Sequence, residues 1–307
     1  MIVVAGEALI DLAPRGETLL PLPGGSPYNV AVGLGRLGSD AAFLGGLSTD
    51  GFGTSMAERL RVEGVDLDLV AWTDVPTSLA VVHLDAEGRA SYSFYLDGTS
   101  ATSLDGASLP DLPDAAALHV SMGAVGLEQD PAGRALLALM QAEHGRRFVS
   151  FDPNVRPSAV ASVDDYATLL DHTVRGCTLV KVSDEDLELL YPATDPLDVA
   201  RGWARSGPAM VVVTRGPDGA VACGASGDVV EVPGESVTVV DTVGAGDAFT
   251  SALLAWLDRR DALSGTALRD LDAEAVTAAL EFARHVAAIT CTRAGSDPPR
   301  AAELSAF

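Results

Sequence analysis

The stretch Asp241-Thr242-Val243-Gly244-Ala245-Gly246-Asp247-Ala248-Phe249-Thr250 constrains both the fold and the chemistry of this chain. It follows a β-branched run at 237–240, which predicts a strand, and it opens an apolar run at 248–257, which predicts a helix. Glycines at such a turn let the backbone approach a ligand closely, and a helix start attracts an anion through its free N–H groups and dipole. With the carboxylate of Asp247 in the first turn, the pattern suits phosphoryl transfer to a hydroxyl. A simple helix cap is the alternative interpretation.

The composition is that of an acidic globular protein. The 307 residues are 48% hydrophobic, which is enough for one large domain with its own core. The net charge of -23 argues against nucleic acid or an anionic membrane as partner. An anionic substrate would therefore need a local positive site, and Lys181 is the single lysine. Residues 1–7 resemble a strand more than a signal peptide, and no apolar run is long enough to span a bilayer. We therefore expect a cytoplasmic protein.

Apolar runs alternate with amphipathic stretches along most of the chain. This alternation predicts a mostly parallel sheet that is covered by helices on both faces. The predicted strands are 2–5, 41–44, 117–120, 148–151, 179–182 and 210–214. The predicted helices include 53–63, 130–143, 164–175, 184–190 and 196–205.

Two segments break that rhythm and predict a small β element. Residues 70–96 read as extended arms around a charged turn at 85–88, as in a hairpin. Residues 12–23 also lack a helical period. Together, segments 12–23 and 70–97 are expected to form a β lid over a cleft, where a lid would exclude water during transfer chemistry. An extension of the central sheet is the alternative.

The segment Gly33-Leu34-Gly35-Arg36-Leu37-Gly38 matches the GxGxxG pattern of dinucleotide-binding turns. Such a turn must follow a strand and open a helix. Here the preceding apolar residues already have helical spacing, so we expect the glycines to lie in or end a helix that packs closely on the sheet. A nicotinamide-dependent oxidoreductase would depend on this pattern alone.

Two distant segments together resemble the signatures of the PfkB (ribokinase-like) carbohydrate kinase family. Gly24-Gly25-Ser26-Pro27-Tyr28-Asn29-Val30-Ala31, followed by Gly38, resembles the N-terminal signature, and residues 241–249 resemble the C-terminal one. Shorter motifs fall between them in the order of the family: Gly6-Glu7 with Asp11, Asp50-Gly51-Phe52-Gly53, Asp152-Pro153-Asn154-Val155-Arg156, Lys181-Val182-Ser183 and Thr214-Arg215-Gly216. The resemblance covers nearly the whole chain and is strongest to bacterial fructokinases.

The resemblance implies one kinase domain over residues 1–307, a three-layer α/β sandwich with a β-sheet lid. It implies ATP and Mg²⁺, and phosphorylation of a sugar hydroxyl, with D-fructose converted to fructose 6-phosphate as the leading reaction. By resemblance, Asp247 is the base, and Gly244, Ala245 and Gly246 hold the transferred phosphoryl group. A homodimer joined through the lids would be usual for the family and would cover their apolar face.

The resemblance also assigns binding residues. Sugar binding falls to Asp11, Gly24, Gly25, Asn29 and Arg156, since short carboxylate and amide side chains beside glycines suit a polyol. ATP binding falls to Ser183, Thr214, Gly216 and Gly219. Five of these residues have a structural alternative: Asn29 as a helix cap, Gly24 and Gly25 as a turn, Arg156 paired with Asp152, and Gly219 as a turn residue.

The cation sites are less well defined by the resemblance. Where the family has Asn-x-x-Glu, this chain has Ser183-Asp184-Glu185-Asp186, so Asp186 takes the place that organises Mg²⁺ through water. Its reach is one methylene shorter, and Glu185 is the alternative. Arg293 and Gly295 lie where the family often forms a monovalent-cation loop, which leaves K⁺ open.

The substrate has close alternatives. Kinases of 2-keto-3-deoxygluconate place an Arg in the lid to meet the sugar acid, whereas Asp97 falls near that place here, which favours a neutral sugar. Ribokinase or nucleoside kinase activity remains open. The alternative from another class is a non-catalytic sugar- or nucleotide-sensing protein, against which the retained Asp247 argues.

Overall fold

The strands that the apolar runs predict form the centre of the molecule. The computed structural model describes residues 1–84, 90–107, 109–114, 116–123, 131–156 and 162–304. The strands are β1 (Ile2–Ala5), β2 (Leu9–Arg15), β3 (Thr18–Gly24), β4 (Ala41–Leu44), β5 (Gly46–Ser48), β6 (Ala71–Thr73), β7 (Leu79–Leu84), β8 (Ala90–Tyr95), β9 (Ala117–Ser121), β10 (Val149–Asp152), β11 (Leu179–Ser183), β12 (Met210–Thr214), β13 (Ala220–Gly224) and β14 (Val229–Val232).

The helices connect these strands. They are α1 (Ser26–Arg36), α2 (Gly51–Val62), α3 (Pro131–Glu143), α4 (Val163–Val174), α5 (Asp184–Leu190), α6 (Pro196–Ala204), α7 (Ala245–Asp258), α8 (Gly265–Arg269) and α9 (Ala273–Cys291). None of the helices in the described part of the chain is long and apolar enough to cross a membrane.

The central sheet has the order β14-β13-β12-β11-β10-β9-β1-β4. Its strands are parallel except for β13, which runs antiparallel to both of its neighbours. Side chains alternate between the two faces, as the pleat requires. On β1, Ile2 and Val4 pack in the core beneath α1, α2, α7 and α9, whereas Val3 and Ala5 pack against α3 to α6. The result is a three-layer α/β sandwich, as expected.

The six predicted strands all exist, with ends shifted by at most one residue. Two strands at the sheet edge, β13 and β14, were not predicted. The run at 237–240 was predicted as a strand and is not one, because it has no partner strand. It is an irregular, mostly exposed segment, held to α9 by the N–H of Val240, which donates to the carbonyl of Cys291 over 2.8 Å.

A second sheet of four strands, in the order β3-β2-β7-β8, packs beside the central one. The pairs β2–β3 and β7–β8 are antiparallel hairpins, and β2 and β7 join them in parallel. The charged turn predicted at 85–88 lies outside the described residues. Strand β6, within the predicted segment 70–97, instead pairs with β5 in a separate two-stranded sheet.

The GxGxxG segment lies in α1, as expected, but its glycines face helices more than the sheet. A side chain on Gly33 would collide with Ser251 of α7, and one on Gly35 would collide with the carbonyl of Glu63 after α2. Gly38 follows the helix with φ 80°. The glycines therefore allow helices to pack closely, and they form no dinucleotide turn.

Candidate active site

The sheet topology opens a crevice at the carboxyl ends of the parallel strands. Strand β1 has β4 on one side and β9 on the other, so the chain winds in opposite directions from this point. Open α/β sheets bind ligands at such switch points. A cavity of about 1200 Å³ lies there. Its wall includes residues that follow β1, β9, β10, β11 and β12: Glu7, Gly123, Asn154, Val155, Arg156, Asp184, Glu185, Gly216 and Pro217.

The carboxylate of Asp247 lies in the first turn of α7, at the floor of the cavity. Its Oδ1 accepts a hydrogen bond of 2.7 Å from Oγ of Ser26, and its Oδ2 accepts one of 2.8 Å from Nδ2 of Asn29. Ser26 and Asn29 are three residues apart on α1 and thus share one face. The amino ends of α1 and α7 therefore meet at this carboxylate and fix its orientation.

Burial raises the pKa of Asp247 above its ordinary value, although the hydrogen bonds from Ser26 and Asn29 act in the opposite direction. Asp152 raises the pKa further, whereas Lys181 lowers it. A carboxylate of raised basicity within reach of a bound hydroxyl is what proton abstraction needs.

The turn before Asp247 presents backbone N–H groups to the cavity. Gly244 precedes α7 with a left-handed φ of 77°, which favours glycine. Within the described residues, no protein acceptor pairs with the N–H groups of Gly244 or Gly246. The N–H of Ala245 differs, since it donates to the carbonyl of Thr242 over 3.2 Å. The free donors of this turn thus include those of the two glycines.

The four-stranded sheet contributes one wall of the cavity. Leu9 and Asp11 on β2, and Tyr92 and Phe94 on β8, line it from positions two apart, so each pair points to the same side of its strand. Burial raises the pKa of Asp11 to about 6, with Arg156 lowering it and Asp247 raising it. Asp11, Arg156 and Asp247 therefore share one end of the cavity.

Arg156 follows β10 and lines the same end. Its Nη1 donates to the carbonyls of Asn154 and Val155, over 3.3 and 3.1 Å. The alternative pairing with Asp152 does not occur, because Asp152 is buried and paired with Lys181 at 3.0 Å. The guanidinium thus lies against its own loop, with its remaining donors available to the cavity.

Asp186 and Ser183 lie at the start of α5, on the cavity wall. Ser183 caps the helix, since its Oγ accepts from the N–H of Asp186 over 3.0 Å. The carboxylate of Asp186 is 9% exposed and accepts from the N–H of Val155 over 3.1 Å, and burial raises its pKa. Glu185 also lines the cavity but is exposed.

The other end of the cavity is more apolar and lies between the β12–β13 turn and α9. Thr214, Gly216 and Gly219 all line it. A side chain on Gly219 would collide with the carbonyl of Val232, and its φ is 96°. Gly219 is therefore required by the tight turn itself, which was the structural alternative to a role in ATP binding. The facing wall includes Val237, Val239, Ala287, Ala288 and Cys291.

Comparison with known proteins shows which family this chain belongs to. The profile described as pfkB family carbohydrate kinase matches residues 1–302. The chain belongs to this family. It is 39% identical over 283 residues to a fructokinase of Rhizobium leguminosarum bv. trifolii, which covers 90% of this chain and 85% of that protein. The chain is therefore a sugar kinase.

Solved structures of related kinases share the fold of this carbohydrate kinase. The fructokinase of Xylella fastidiosa with bound ATP has a TM-score of 0.86 at 29% identity, and the alignment covers 96% of this chain and 93% of that one. The fructokinase of Vibrio cholerae O395, in a form with bound fructose, ADP and calcium ion, has a TM-score of 0.81 at 28% identity, with coverage of 96% and 94%. The family and the ribokinase-like fold predicted from the motifs are thus confirmed.

Two residues of this carbohydrate kinase do not lie where the sequence interpretation required. Gly24 is buried beneath Asp11, where a side chain would collide with the carboxylate of Asp11, and it is not part of the cavity wall. Asp97 is exposed in a turn after β8 and does not line the cavity. The prediction that Asp97 would repel a sugar acid is therefore wrong. Gly25 and Asn29 do lie on the wall, and Asn29 is inside α1 and not its cap.

The sequence interpretation of this kinase also missed residues of the cavity. It assigned no role to Ser26, although its spacing from Asn29 places both on the same face of a helix. It assigned none to Lys181, which lines the cavity although it is only 5% exposed. Tyr92 and Phe94 were identified only as part of a hairpin arm, since no local pattern shows which face of a hairpin covers a distant site.

Proposed function

We propose that this carbohydrate kinase transfers the terminal phosphoryl group of ATP to a hydroxyl of a neutral sugar, with D-fructose as the leading substrate and fructose 6-phosphate as the product. The observation that carries the proposal is the position of Asp247. Its carboxylate is held by Ser26 and Asn29 at the floor of the cavity, one turn from two free glycine amides. A base and an anion-binding turn on the same helix end suit transfer to an alcohol.

The proposed reaction uses this geometry directly. The sugar hydroxyl gives its proton to Asp247 while its oxygen attacks the terminal phosphorus of ATP, and the bond from that phosphorus to the bridging oxygen of ADP breaks. The N–H groups of Gly244 and Gly246 stabilise the equatorial oxygens of the phosphoryl group, aided by the dipole of α7. Because Ser26 and Asn29 already orient the carboxylate, little rearrangement is needed at the moment of transfer.

The charges around the sugar end favour a neutral substrate. Asp11 and Asp247 contribute two carboxylates there, and Arg156 contributes one guanidinium. A sugar acid would bring a third anion against one cation in a partly closed site. Asn29 and Gly25 complete the polar wall for hydroxyl groups. Fructose is preferred among neutral sugars because the relatives that cover most of the chain are named fructokinases.

The nucleotide is proposed to occupy the end lined by Thr214, Gly216 and Gly219, with Ser183 at its phosphate side. The chemistry of Asp186 fits Mg²⁺, which prefers oxygen ligands and is commonly held by one or two carboxylates together with phosphates. Asp186 would bind it through water, with Glu185 as the alternative. When bound, Mg²⁺ supplies positive charge to the phosphate oxygens.

A monovalent cation such as K⁺ is a further proposed activator near Gly295. The loop there is fixed to the glycine turn, since Oδ2 of Asp241 accepts from the N–H of Gly295 over 2.8 Å. Turnover in KCl should exceed turnover in tetramethylammonium chloride at equal ionic strength. Equal rates in the two salts would remove K⁺ from the proposal.

The experiment that tests the function is a substrate panel with ATP and Mg²⁺. It should contain fructose, other neutral hexoses, ribose, a nucleoside and 2-keto-3-deoxygluconate, with ADP release as the readout. Fructose is expected to have the highest kcat/KM. Preference for the sugar acid would refute the charge argument, and preference for ribose or the nucleoside would reassign the substrate. Sugar or nucleotide binding without ADP release would instead support a sensing protein.

A homodimer through the four-stranded sheet is proposed as the assembly. Leu19, Leu20 and Tyr95 of that sheet are 50%, 38% and 59% exposed, which is unusual for large apolar side chains on one small element. Sedimentation equilibrium should give twice the chain mass of 31.5 kDa. The double variant Leu19→Glu/Leu20→Glu should be monomeric if the contact is correct, and a variant that stays dimeric would place the interface elsewhere.

A further inference from the structure

The proposed reaction gives no role to a buried cation of the cavity wall. Lys181 is the only lysine in the chain and lies on β11, in the middle of the central sheet. It is 5% exposed, yet it lines the cavity. Lysine is almost never buried without a partner, and here the partner is Asp152 of β10 at 3.0 Å. A buried pair of this kind invites a functional explanation, since apolar side chains could fill the same space at less cost.

The amino group of Lys181 lies against the glycine turn. A side chain on Gly246 would have its Cβ only 3.2 Å from Nζ of Lys181. The ammonium also interacts electrostatically with Asp247 and Asp186. It therefore lies beside the glycine turn and near both the proposed base and the proposed metal carboxylate.

Lys181 has more donors than the protein uses. An ammonium group carries three N–H donors, and in the described part of the chain only the carboxylate of Asp152 accepts from it. Burial lowers the pKa of Lys181, but the attraction of Asp152 outweighs burial and leaves the pKa above its ordinary value. The group is thus a cation with two donors left for a ligand.

The other basic side chains of the cavity wall each have protein partners of their own. Within the described residues, these are Arg156 and Arg284. Arg156 donates to its own loop, and Arg284 donates to the carbonyl of Pro233 and lies 3.5 Å from Glu235. In a chain with net charge -23, Lys181 is the cation that touches the turn where the anion is expected.

We propose that Lys181 is a catalytic residue that donates hydrogen bonds to an oxygen of the phosphoryl group in transfer, with Asp152 as its anchor; this inference rests on the proposed kinase function. Lys181 forms no covalent bond and gives up no proton. The hydroxyl proton goes to Asp247, and the electron pair of the broken bond goes to ADP. Lys181 offsets negative charge on the oxygens while the phosphoryl group passes between them.

Because the chain has a single lysine, NMR spectroscopy can test this proposal without measuring turnover. Protein grown with ¹³C-lysine should show one ε-methylene signal, that of Lys181. The β,γ-imido analogue of ATP should shift this signal at saturation, whereas AMP, which lacks the transferred phosphoryl group, should leave it in place. Saturation is verified by calorimetry on the same sample. An unmoved signal in protein saturated with the analogue would refute the proposal, whatever the sugar panel shows.

Two variants distinguish a catalytic role of Lys181 from a purely structural role as the counter-ion of Asp152. Lys181→Met should lower kcat by about 100-fold or more, the usual effect of removing one donor to a developing anion, with the KM for sugar nearly unchanged. Lys181→Met/Asp152→Asn removes the unpaired buried carboxylate and should recover the melting temperature without recovering kcat. Recovery of kcat to within about tenfold of wild type in the double variant would reduce Lys181 to a structural counter-ion and overturn the proposal.

Discussion

At the scale of single residues, the carboxylates of the site differ in their hydrogen-bond partners. Asp247 is oriented by Ser26 and Asn29, whereas Asp11 lines the cavity from the four-stranded sheet without such partners among the described residues. Burial raises the pKa of both. The residue types of these positions could be predicted from the sequence, but the partner of each could not, because 218 residues separate Asn29 from Asp247.

Asp247→Ala should abolish nearly all turnover. Loss of the proposed base is expected to lower kcat by about 1000-fold or more, at the upper end of general base effects, while sugar binding stays largely intact. Steady-state kinetics and calorimetry with the sugar measure both quantities. Asp258→Ala at the opposite end of α7 is the control and should keep wild-type kcat. Wild-type turnover in the Asp247 variant would end the assignment of the base.

Asp11 should couple sugar binding and stability to pH. The pKa of Asp11 is raised from 3.8 to about 6 in the folded protein. Between these two pH values the carboxyl group is therefore protonated in the folded state and ionised in the unfolded state. Stability from this group is therefore present at low pH and decreases as pH rises through that window. Sugar affinity changes in the opposite direction, since the ionised carboxylate is the better acceptor.

The variant Asp11→Asn tests both trends. It should raise the KM for sugar, remove the change of KM near pH 6, and increase the free energy of unfolding at pH 7.5 by about 1 kcal/mol, a value discounted because the carboxylate is partly solvated. At pH 4 the two proteins should be equally stable. Urea unfolding at both pH values measures this, and a variant that is less stable at pH 7.5 would contradict the pKa shift.

At the scale of elements, local sequence patterns predicted the strands well where both faces of the sheet are buried, because such strands need apolar residues throughout. The six predicted strands of the central sheet read as continuous apolar runs and were found within one residue. The run at 237–240 has equal β propensity but no neighbour to pair with, so propensity alone gave the wrong answer. The same limit explains the missed β13 and β14, whose short runs gain strand structure from antiparallel pairing at the sheet edge.

The start of α7 should tolerate a side chain poorly. Gly244 has φ 77°, and a Cβ there would approach Cβ of Ser296 to 2.6 Å. Gly244→Ala should therefore destabilise the fold by about 1–3 kcal/mol and lower kcat through the displaced amides. Gly202→Ala at an exposed position of α6 meets nothing within 4 Å and should instead stabilise by up to about 1 kcal/mol with full activity. Equal effects of the two substitutions on kcat would contradict the role of the turn.

At the scale of the whole molecule, the order of the motifs predicted the architecture correctly. Motifs that end parallel strands must meet at one edge of the sheet, so Asp152, Ser183 and Thr214 could be expected near each other. The face of the four-stranded sheet that lines the cavity could not be predicted, because 63 residues of chain separate β2 from β7, its parallel neighbour. Local sequence contains no signal for such a pairing.

The net charge of -23 should make nucleotide capture depend on salt. The acidic surface repels ATP, and mobile ions screen that repulsion, so kcat/KM for ATP should rise by about threefold between about 20 and 200 mM tetramethylammonium chloride. The KM for fructose is the internal control and should stay constant, since the sugar is neutral. A fall of kcat/KM for ATP with salt would mean that the cations of the cavity dominate the encounter.

The single buried lysine also limits how subunit contacts can be detected chemically. Bifunctional esters and aldehydes join proteins through exposed ε-amino groups, and the only such group in this sequence is enclosed between β10 and the glycine turn. Cross-links through lysine would thus fail to form even within a stable pair of chains. Carbodiimide coupling through the abundant surface carboxylates to an added dihydrazide is the reagent choice that this surface permits.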